Sequence, residues 1–440
     1  MTQADIVVTY EEAQGRVRAE ASPLPTETVP FHEAAGRVLA EALKGERDDP
    51  PGPKSAMDGY ALRAADTRHA APGTPLGFHY RAVLAAGHAE ASPLPESPAG
   101  ATPPAAGADG GRAPAVRIMT GARLPPGADA VVKLEDTEAD DTAPENAGYF
   151  RLRRPIARGE HVIPRAARME TGELLLAAGE VLAPQALGVL ASTHRAQVLV
   201  YRRPVVALLA LGDELADVGT TLGPGKIPLT NLHVLTALVR RYGGEARPLG
   251  IAPDDPERIF ALLEPCLRPG MDPARGAAAC DMLLTLGGSH RGDFDFVHAV
   301  FARLGARLHF DRVRMSPGTS TVFATQHRAL LFGLPGSPAS SWGAFELLVR
   351  PALWKLAGRR RLDLPRVGAR LGAPLPQPRG RVEFVACQVR PEGGVPTAYP
   401  IQGRHPHESP ASLRADGLIR CEPGAATPVG AWVTVDWLAD

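Results

Sequence analysis

The sequence predicts a multidomain protein of the α/β plus β class, in which a parallel α/β domain precedes a small all-β domain. Three observations support this prediction. The chain has 440 residues, about three times the usual size of one domain. Patterns of buried strands and helices alternate between residues 201 and 358, which is typical of a parallel sheet. After residue 359 the helical patterns end, and short strands alternate with Pro and Gly turns.

Composition excludes several classes of protein. Lys and Arg number 48 and Asp and Glu also number 48, so the formal net charge is zero. Binding to nucleic acid or to an anionic membrane needs excess basic charge, so we expect neither partner. The four cysteines contain no CxxC pair, which argues against a disulfide framework or a zinc knuckle. Without a signal-peptide pattern or an apolar run of about 18 residues, we expect a cytoplasmic protein.

The N-terminal region predicts two amphipathic helices separated by a short strand. Apolar residues recur at helical spacing from residue 11 to 19 and again from 32 to 43. The connector Ser22-Pro23-Leu24-Pro25 interrupts this pattern, because proline lacks the amide hydrogen that a helix interior needs. Residues 26–29 between the two helices are predicted as a strand.

The next region predicts a small, mostly β domain that carries a loose insertion. Short strands are predicted at residues 116–121 and 130–134, around a turn made by Pro125-Pro126-Gly127. Residues 86–115 are rich in Ala, Pro and Gly, which is typical of an unpacked insertion on a loop. The predicted domains are residues 1–47 with 150–200, residues 48–149, residues 201–358 and residues 359–440.

The central region alternates strands and helices. Three continuous apolar runs predict buried strands, at residues 205–211, 282–286 and 330–334. We expect Asn231 to cap a helix that ends near Tyr242, and Asp255-Pro256 to begin a second helix with Pro at its first position. A third helix is predicted from about residue 340 to 356.

A polar loop follows each of these three strands. Gly212-Asp213-Glu214 follows the first, Gly287-Gly288-Ser289 begins a loop that contains Asp295, and Pro335-Gly336-Ser337 follows the third. Because parallel α/β sheets bind ligands at the carboxyl ends of their strands, we expect the loops to form one site. Glycine amides and a helix N-terminus favour an anion, while carboxylates favour Mg²⁺. Each loop alone is more typical of an ordinary turn or a solvated loop, so the prediction rests on their combination.

Eight motifs occur in order along nearly the whole chain. They are Ser55-Ala56-Met57-Asp58-Gly59-Tyr60-Ala61, Arg117-Ile118-Met119-Thr120-Gly121-Ala122, Gly212-Asp213-Glu214-Leu215, Thr230-Asn231, residues 250–254, Gly287-Gly288, Leu334-Pro335-Gly336 and Arg414-Ala415-Asp416-Gly417-Leu418. In this combination they resemble the MoeA family of molybdopterin molybdenumtransferases, to which the C-terminal part of gephyrin is related. The resemblance implies an elongated chain with a MogA-like parallel α/β domain and a C-terminal β-barrel domain.

The resemblance also implies a function in molybdenum cofactor biosynthesis. The family inserts molybdate into adenylylated molybdopterin and releases AMP in a step that requires a metal, here expected to be Mg²⁺. It implies a homodimer, with a MogA-type adenylyltransferase and molybdoenzymes as further partners. Four residues match functional polar positions of the family and are expected to be catalytic: Asp58, Thr120, Glu214 and Asp295.

The resemblance assigns further roles within this site. Glu214, Asp254 and Asp295 are expected to hold the metal, whereas Asp58 and Thr120 are expected to reach across the dimer. The residues expected to bind the pterin are Gly287, Gly288, Ser289, Ser316, Pro317, Gly318, Thr319, Pro335, Gly336 and Ser337. Alternatives remain open, because Asp58 and Thr120 also fit a simple turn and Asp254 also fits the start of a helix.

The sequence departs from the family pattern at several of these loops. The family's Lys-Pro-Gly-Lys-Pro loop is Ser316-Pro317-Gly318-Thr319-Ser320 here, so both lysines are replaced. Arg291, Arg312 and Arg314 lie beside the altered loops, and they either restore the lost charge or are solvated edge residues. Arg312 and Arg314 would share one face of a strand, with Val313 on the other.

Three functions are therefore open. The retained acidic residues favour an active transferase, whereas the lost lysines favour a paralogue that binds molybdopterin as a carrier, chaperone or regulator. A scaffold role like that of gephyrin is the third alternative, and no receptor-binding feature in the sequence favours it.

Overall fold

In the computed structural model the chain folds as two units, Met1–Glu41 with Ala177–Asp440 and Ala42–Leu176. The structure describes residues 6–87, 92–95, 112–139, 148–268, 280–288, 296–378, 380–401, 414–424 and 426–438. The domain boundaries given above stay predictions.

Several short elements lie outside the main sheets and helices described below. They are the strands Val7–Thr9, Thr26–Pro30, Leu43–Lys44, Lys54–Ser55, Val162–Ile163, Leu174–Leu176, Gln197–Tyr201, Leu215–Ala216, Ile227–Pro228 and Arg312–Ser316, the helix Ala186–Ser192, and the 3-10 turns Phe31–Glu33, Ala64–Thr67 and Leu134–Asp136.

A six-stranded sheet lies at the centre of the first unit. In chain order its strands are β1 (Val205–Leu211), β2 (Glu245–Ala252), β3 (Met282–Leu286), β4 (Arg307–Phe310), β5 (Val322–Gln326) and β6 (Ala329–Leu334). They are arranged in the order β2-β1-β3-β6-β5-β4. The pairs β2–β1, β1–β3 and β3–β6 are parallel, as predicted for β1, β3 and β6. The pairs β6–β5 and β5–β4 are antiparallel, so β5 runs opposite to the other five strands.

The two antiparallel pairings, and the strands β4 and β5 that make them, were not identified from the sequence. Only His327 and Arg328 separate β5 from β6, and His327 has a φ of 53°. A two-residue connection forces an antiparallel pair and needs a positive φ, which Asn or Gly usually supplies. Since His-Arg is not a typical turn pair, the hairpin gives no recognisable signal in the sequence.

Helices lie on both faces of this sheet. They are α1 (Asn231–Arg241), α2 (Pro256–Leu267), α3 (Phe296–Arg303), α4 (Pro338–Ala344) and α5 (Arg350–Leu356), with a π-helical turn, Phe345–Val349, between the last two. Alternate residues of β1 pack into two different cores, Val206, Leu208 and Ala210 on one face and Val205, Ala207 and Leu209 on the other. Every residue of β1 is buried, so the strand appears in the sequence as one continuous apolar run.

The N-terminal caps of two helices, α1 and α2, were predicted from the sequence. Asp255 caps α2 by accepting from the amide of Glu257 at 2.9 Å, and Pro256 occupies the first position, so this prediction is confirmed. The predicted cap of α1 is wrong, because Asn231 is the first helical residue and Thr230 holds the cap position. The side chain of Asn231 instead bonds to a loop of the site described below.

The N-terminal segment contains one of the two predicted helices. The helix Tyr10–Glu20 is confirmed, and a reciprocal pair of hydrogen bonds between Thr9 and Glu12 caps it. The helix predicted at residues 32–43 is wrong, because only the 3-10 turn Phe31–Glu33 forms there. The chain beyond it donates backbone hydrogen bonds to distant carbonyls, such as Leu39 N to Glu180 O at 2.9 Å. Long-range pairing thus overrides the local helical spacing.

The C-terminal region forms the predicted β-barrel. Its strands are Arg366–Leu371, Val382–Glu392, Val395–Pro400, Gly417–Cys421 and Trp432–Trp437. Each is hydrogen-bonded to its neighbours, and Gly417–Cys421 pairs back onto Val382–Glu392, which closes the ring. Inward residues such as Leu371, Cys387 and Val435 fill the interior, as expected for a barrel of this size.

The second unit is built around a six-stranded β-sheet. Its strands, in sheet order, are Ala130–Lys133, Gly59–Leu62, Ala113–Ile118, Leu76–Leu84, Tyr149–Leu152 and Glu138–Ala139. Tyr60 stacks on Phe150 with ring centroids 3.9 Å apart, and Phe78 also stacks on Phe150, with ring centroids 5.3 Å apart. The strand Ala113–Ile118 includes the last three residues of the predicted insertion, so the insertion ends earlier than predicted. Most of its remaining residues lie outside the described part of the chain.

Within the described residues, no helix is long and apolar enough to cross a lipid bilayer.

The hydrogen bonds of Asp48 predict how the stability of the second unit depends on pH. Its carboxylate accepts hydrogen bonds from the amide and the hydroxyl of Thr171 at 2.9 and 2.7 Å, and Arg165 pairs with it, which lowers the pKa of Asp48 to about 2. A lowered pKa contributes stability above the unfolded pKa of about 3.9, and this contribution is lost as the pH falls towards 2. The Asp48→Asn variant, which keeps an acceptor oxygen, is expected to melt at a lower temperature than wild type at pH 6. Thermal scans from pH 6 to pH 2 should show the two melting temperatures converge, and a constant difference would contradict this account.

Candidate functional site

A cleft of about 350 Å³ lies in the first unit, at the carboxyl ends of β1, β3 and β6. The residues that line it are Ala210, Leu211, Gly212, Glu214, Leu215, Ile227, Pro228, Leu229, Thr230, Asn231, Asp254, Leu286, Gly287, Gly288, Phe296, Gly336, Ser337 and Pro338. All three polar loops identified in the sequence therefore contribute to one cavity. Its volume suits a ligand of the size of a small organic cofactor.

The register of the parallel strands brings these loops together. Ala210 lies beside Leu286, and Leu286 lies beside Leu334, so the three strands end at the same level of the sheet. The backbone ladder continues into the second loop, where the amide of Gly287 donates to the carbonyl of Leu334 at 3.0 Å. Loops that are far apart in sequence are thus held side by side by backbone hydrogen bonds.

Gly287 forms part of the cleft floor in a conformation that needs glycine. Its φ is 99°, and a Cβ atom at this position would lie 2.8 Å from the carbonyl oxygen of Leu211. The adjacent Gly288 also has a positive φ, of 66°. Both residues therefore hold a backbone conformation that favours glycine, and both line the cleft.

Two carboxylates, from Glu214 and Asp254, line the cleft beside this floor. Burial raises the pKa of Asp254, and the negative charges of Asp213 and Glu214 raise it further. Since Asp255 caps α2, the alternative that Asp254 only starts the helix is wrong. The carboxylates repel one another, and a bound cation would relieve this repulsion.

This donor set fits a divalent cation such as Mg²⁺. That ion is commonly held by one or two carboxylates, with water and substrate phosphates completing its shell. Glu214 and Asp254 supply two such oxygen donors, whereas the third predicted ligand, Asp295, lies outside the described residues. In the part of the chain that the structure describes, three or more ligating side chains do not cluster into a preformed metal centre.

The loop after β6 forms the opposite wall of the cleft. The side-chain amide of Asn231 donates to the carbonyl of Gly336 at 2.6 Å, which ties the start of α1 to this loop. Ser337 lies at the N-cap of α4, and its hydroxyl makes no hydrogen bond to that helix. The sequence predicts Asn231 as a helix cap and gives no signal for this hydrogen bond, although Thr230-Asn231 is one of the family motifs.

Five other residues predicted to bind the pterin do not line this cleft. Ser316, Pro317, Gly318 and Thr319 form a separate loop, and the hydroxyl of Thr319 donates internally to the carbonyl of Met315 at 2.6 Å. Pro335 precedes the lining residues of its loop and is absent from the cleft wall. Ser289 lies outside the described residues.

The sequence predicted some, but not all, of the positively charged residues that lie near the altered loops. Arg312 and Arg314 are exposed on one face of their strand and Val313 is buried on the other, as expected. Arg291 lies outside the described residues. The structure adds Arg381, whose Nη1 lies 3.4 Å from the hydroxyl oxygen of Thr319, and Lys226, whose ammonium bonds to the carbonyl of Asp213. Neither residue was identified from the sequence as a source of positive charge.

Asp58 and Thr120 are brought together in the second unit. One oxygen of the Asp58 carboxylate accepts from the amide and the hydroxyl of Thr120 at 2.7 and 2.8 Å. These bonds lower the pKa of Asp58, so the exposed group is an anion at neutral pH. The pair is 62 residues apart in sequence, and its proposed role in the site stays a prediction.

The fold and the cleft together define a class of protein: a multidomain α/β and β-barrel protein with an anion- and cation-compatible site at its strand ends. Three family models match consecutive parts of the chain. They are the MoeA N-terminal region (domain I and II) at residues 8–193, a probable molybdopterin binding domain at 207–355, and the MoeA C-terminal region (domain IV) at 368–438.

Curated relatives and a solved structure agree with these matches. The molybdopterin molybdenumtransferase of Bacillus subtilis is 33% identical over 354 residues, which cover 79% of this chain and 74% of the relative. The Staphylococcus aureus enzyme of the same name is 31% identical, over 80% of this chain and 76% of its own. The crystal structure of the MoeA molybdopterin biosynthesis protein of Pyrococcus horikoshii is 28% identical, covers 98% of this chain and 99% of its own, and has a TM-score of 0.77. The chain belongs to the MoeA family of molybdopterin molybdenumtransferases, and the recognition of that family from the sequence is confirmed.

Substitution of Gly287 tests how tightly the cleft floor is constrained. Gly305→Ala is the matched control, because Gly305 also has a positive φ, of 72°, but nothing lies within 4 Å of the added Cβ. We expect Gly305→Ala to cost about 1–2 kcal/mol of unfolding free energy through backbone strain alone. Gly287→Ala should cost roughly 1–3 kcal/mol more, because its Cβ also overlaps the Leu211 carbonyl. Urea denaturation measures both values, and equal costs would show that the overlap is relieved by movement.

Proposed function

We propose that this protein catalyses the insertion of molybdate into adenylylated molybdopterin with release of AMP. Membership of the family supports a role in molybdenum cofactor biosynthesis and an enzyme of the transferase class. The observation that carries the proposal is the convergence of Glu214 and Asp254 with the glycine loop 287–288 in one cleft. This cleft lies within the region matched by the molybdopterin-binding family model.

The chemistry of the cleft suits a substrate with an adenylate phosphate. Gly288 and the hydroxyl of Ser337 line the cleft and provide polar groups for an anion, whereas the amide of Gly287 already donates to the Leu334 carbonyl. Glu214 and Asp254 would hold Mg²⁺, which neutralises phosphate charge when it is bound. Negative charge on this pair of carboxylates would repel an anionic substrate unless that cation lay between them and the phosphate.

The cleft and the separate loop 316–320 carry fewer positively charged residues than the family pattern would supply. The loop 316–320 has no lysine, and Thr319 uses its hydroxyl proton within the loop. Lys226, beside the carboxylate loop, and Arg381, beside Thr319, are the described cations that contact these two loops. We propose that these residues, together with Mg²⁺, supply the charge that the missing lysines would have provided.

A single-turnover assay tests the proposed reaction. Protein in excess over adenylylated molybdopterin is mixed with Mg²⁺ and molybdate, and AMP release is followed with cofactor formation. Glu214→Gln, which keeps the size of the side chain but removes its charge, is expected to slow AMP release by about 10²-fold or more. The control Asp217→Asn changes an exposed nearby carboxylate that does not line the cleft, and it should retain the wild-type rate.

Two results would overturn the proposal of an active transferase. One is wild-type protein that binds the adenylate tightly without molybdate-dependent AMP release, which would instead support a carrier or regulator. The other is an equal loss of rate in Glu214→Gln and Asp217→Asn, which would remove the assigned role of the cleft carboxylate.

We further propose that the protein is a homodimer in which Asp58 and Thr120 of one subunit complete the cleft of the other. The exposed, ionised carboxylate of Asp58, held by two hydrogen bonds from Thr120, is suited to meet a ligand presented by a second subunit. In a symmetric dimer this arrangement would create two equivalent composite sites.

Mixing variants tests this arrangement. Asp58→Asn and Glu214→Gln, each inactive alone, should regain about a quarter of wild-type activity when co-expressed, since random pairing leaves one unaltered site in half of the dimers. Co-expressed Asp58→Asn and Thr120→Ala form the control, because no composite site in that mixture is unaltered. Absence of recovery in the first mixture, with dimers confirmed by mass, would show that each site uses residues of one subunit.

A further inference from the structure

Two cysteines that are 14 residues apart in sequence meet at the end of β3 that is remote from the cleft. Cys266 lies in the last turn of α2, and Cys280 lies two residues before β3 begins. The amide of Cys280 donates to the carbonyl of Cys266 at 2.9 Å, and the Cys280 thiol lies 3.1 Å from the same oxygen. A direct backbone hydrogen bond keeps the two Cα atoms within the roughly 4.4–6.8 Å that a disulfide spans.

The two thiols differ in exposure and in acidity. Hydrogen bonding from the Cys280 side chain lowers the pKa of the Cys266 thiol, with a further contribution from the positive charge of Arg247. The same hydrogen bond and burial raise the pKa of Cys280. Cys280 is 2% exposed, whereas Cys266 is only partly buried. Cys266 is therefore the accessible nucleophile, and Cys280 is the protected partner beside it.

We propose that Cys266 and Cys280 form an oxidisable dithiol that a peroxide converts into an intrachain disulfide. The Cys266 thiolate attacks one peroxide oxygen, breaks the O–O bond and becomes a sulfenic acid, and the leaving hydroxide takes a proton to form water. The Cys280 sulfur then attacks the Cys266 sulfur and expels the hydroxyl group, which leaves as a second water with the Cys280 proton. Two thiols and one hydrogen peroxide thus give one disulfide and two waters.

The other two cysteines lack this arrangement. Cys387 and Cys421 lie on paired strands of the barrel, but Cys387 is opposite Gly417 and Cys421 is opposite Glu383. This offset of four residues separates them by about 13 Å, which is too far for a disulfide. Burial raises the pKa of Cys387 to about 12 and that of Cys421 to about 11. They therefore serve as internal controls in the same molecule.

The position of the dithiol predicts what the disulfide would change. It joins the end of α2 to the start of β3, while the cleft lies at the other end of β3, roughly 17 Å away along the strand. The new cross-link closes a loop of about 15 residues and restricts the unfolded chain. We expect the bridged protein to melt several degrees higher and to keep its cleft intact.

Thiol counting and peptide mapping test the proposal. Reduced full-length protein is treated with hydrogen peroxide, denatured and alkylated. Free thiols should fall from four to about two per chain, with a linked Cys266–Cys280 peptide that is two hydrogens lighter than its parts and with Cys387 and Cys421 still alkylated. Four remaining thiols, a linkage between chains, or a sulfinic acid at Cys266 without the bridge would each overturn the proposal.

Two variants separate the roles of the cysteines. In Cys280→Ala, peroxide should leave a sulfenic acid at Cys266 that reacts with dimedone, because the second thiol is missing. In Cys266→Ser, the buried Cys280 should stay reduced under the same treatment. Oxidation of Cys280 in the absence of Cys266 would contradict the assigned order of the two steps.

Discussion

The hydrogen-bonded register of β1, β3 and β6 is the constraint on which the site depends. Because these parallel strands are paired residue by residue, they end at one level, and the loops after them face a common cleft. The ladder extends past the strands, since the amide of Gly287 donates to the Leu334 carbonyl. The side-chain amide of Asn231 adds a further hydrogen bond, to the Gly336 carbonyl. A side chain at Gly287 would strike the Leu211 carbonyl, so the loop conformation and the strand register support each other.

The cleft and its edge bring together carboxylates that repel one another. Asp213, Glu214 and Asp254 concentrate negative charge, and burial together with this charge raises the pKa of Asp254. The structure tolerates this repulsion because the strands and helices around the cleft are well packed, with both faces of β1 buried in separate cores. A bound cation would replace this repulsion by attraction, and its binding would stabilise the folded protein.

The altered loop 316–320 illustrates how a backbone can be kept while its charge changes. Thr319 bonds to the Met315 carbonyl, and Thr321 bonds to the Gly318 carbonyl at 2.7 Å, so hydroxyls stabilise the turn from within. A hydroxyl used in this way is not available as a donor to an oxyanion. Charge near the two loops comes instead from residues outside the loop, such as Arg381 and Lys226, which the sequence pattern alone does not single out.

Local sequence determined much of this protein. Continuous apolar runs identified β1, β3 and β6, Asp255-Pro256 identified the start of α2, and ordered motifs identified the family and the loops of the cleft. Tertiary structure decided the rest. The spacing at residues 32–43 fits a helix, but backbone bonds to residues 180 and 182 hold it extended, and the His327-Arg328 turn reverses the edge of the sheet. Cys266 and Cys280, and likewise Asp58 and Thr120, become neighbours only in the folded chain. Contacts between residues that are distant in sequence depend on packing, which local spacing does not encode.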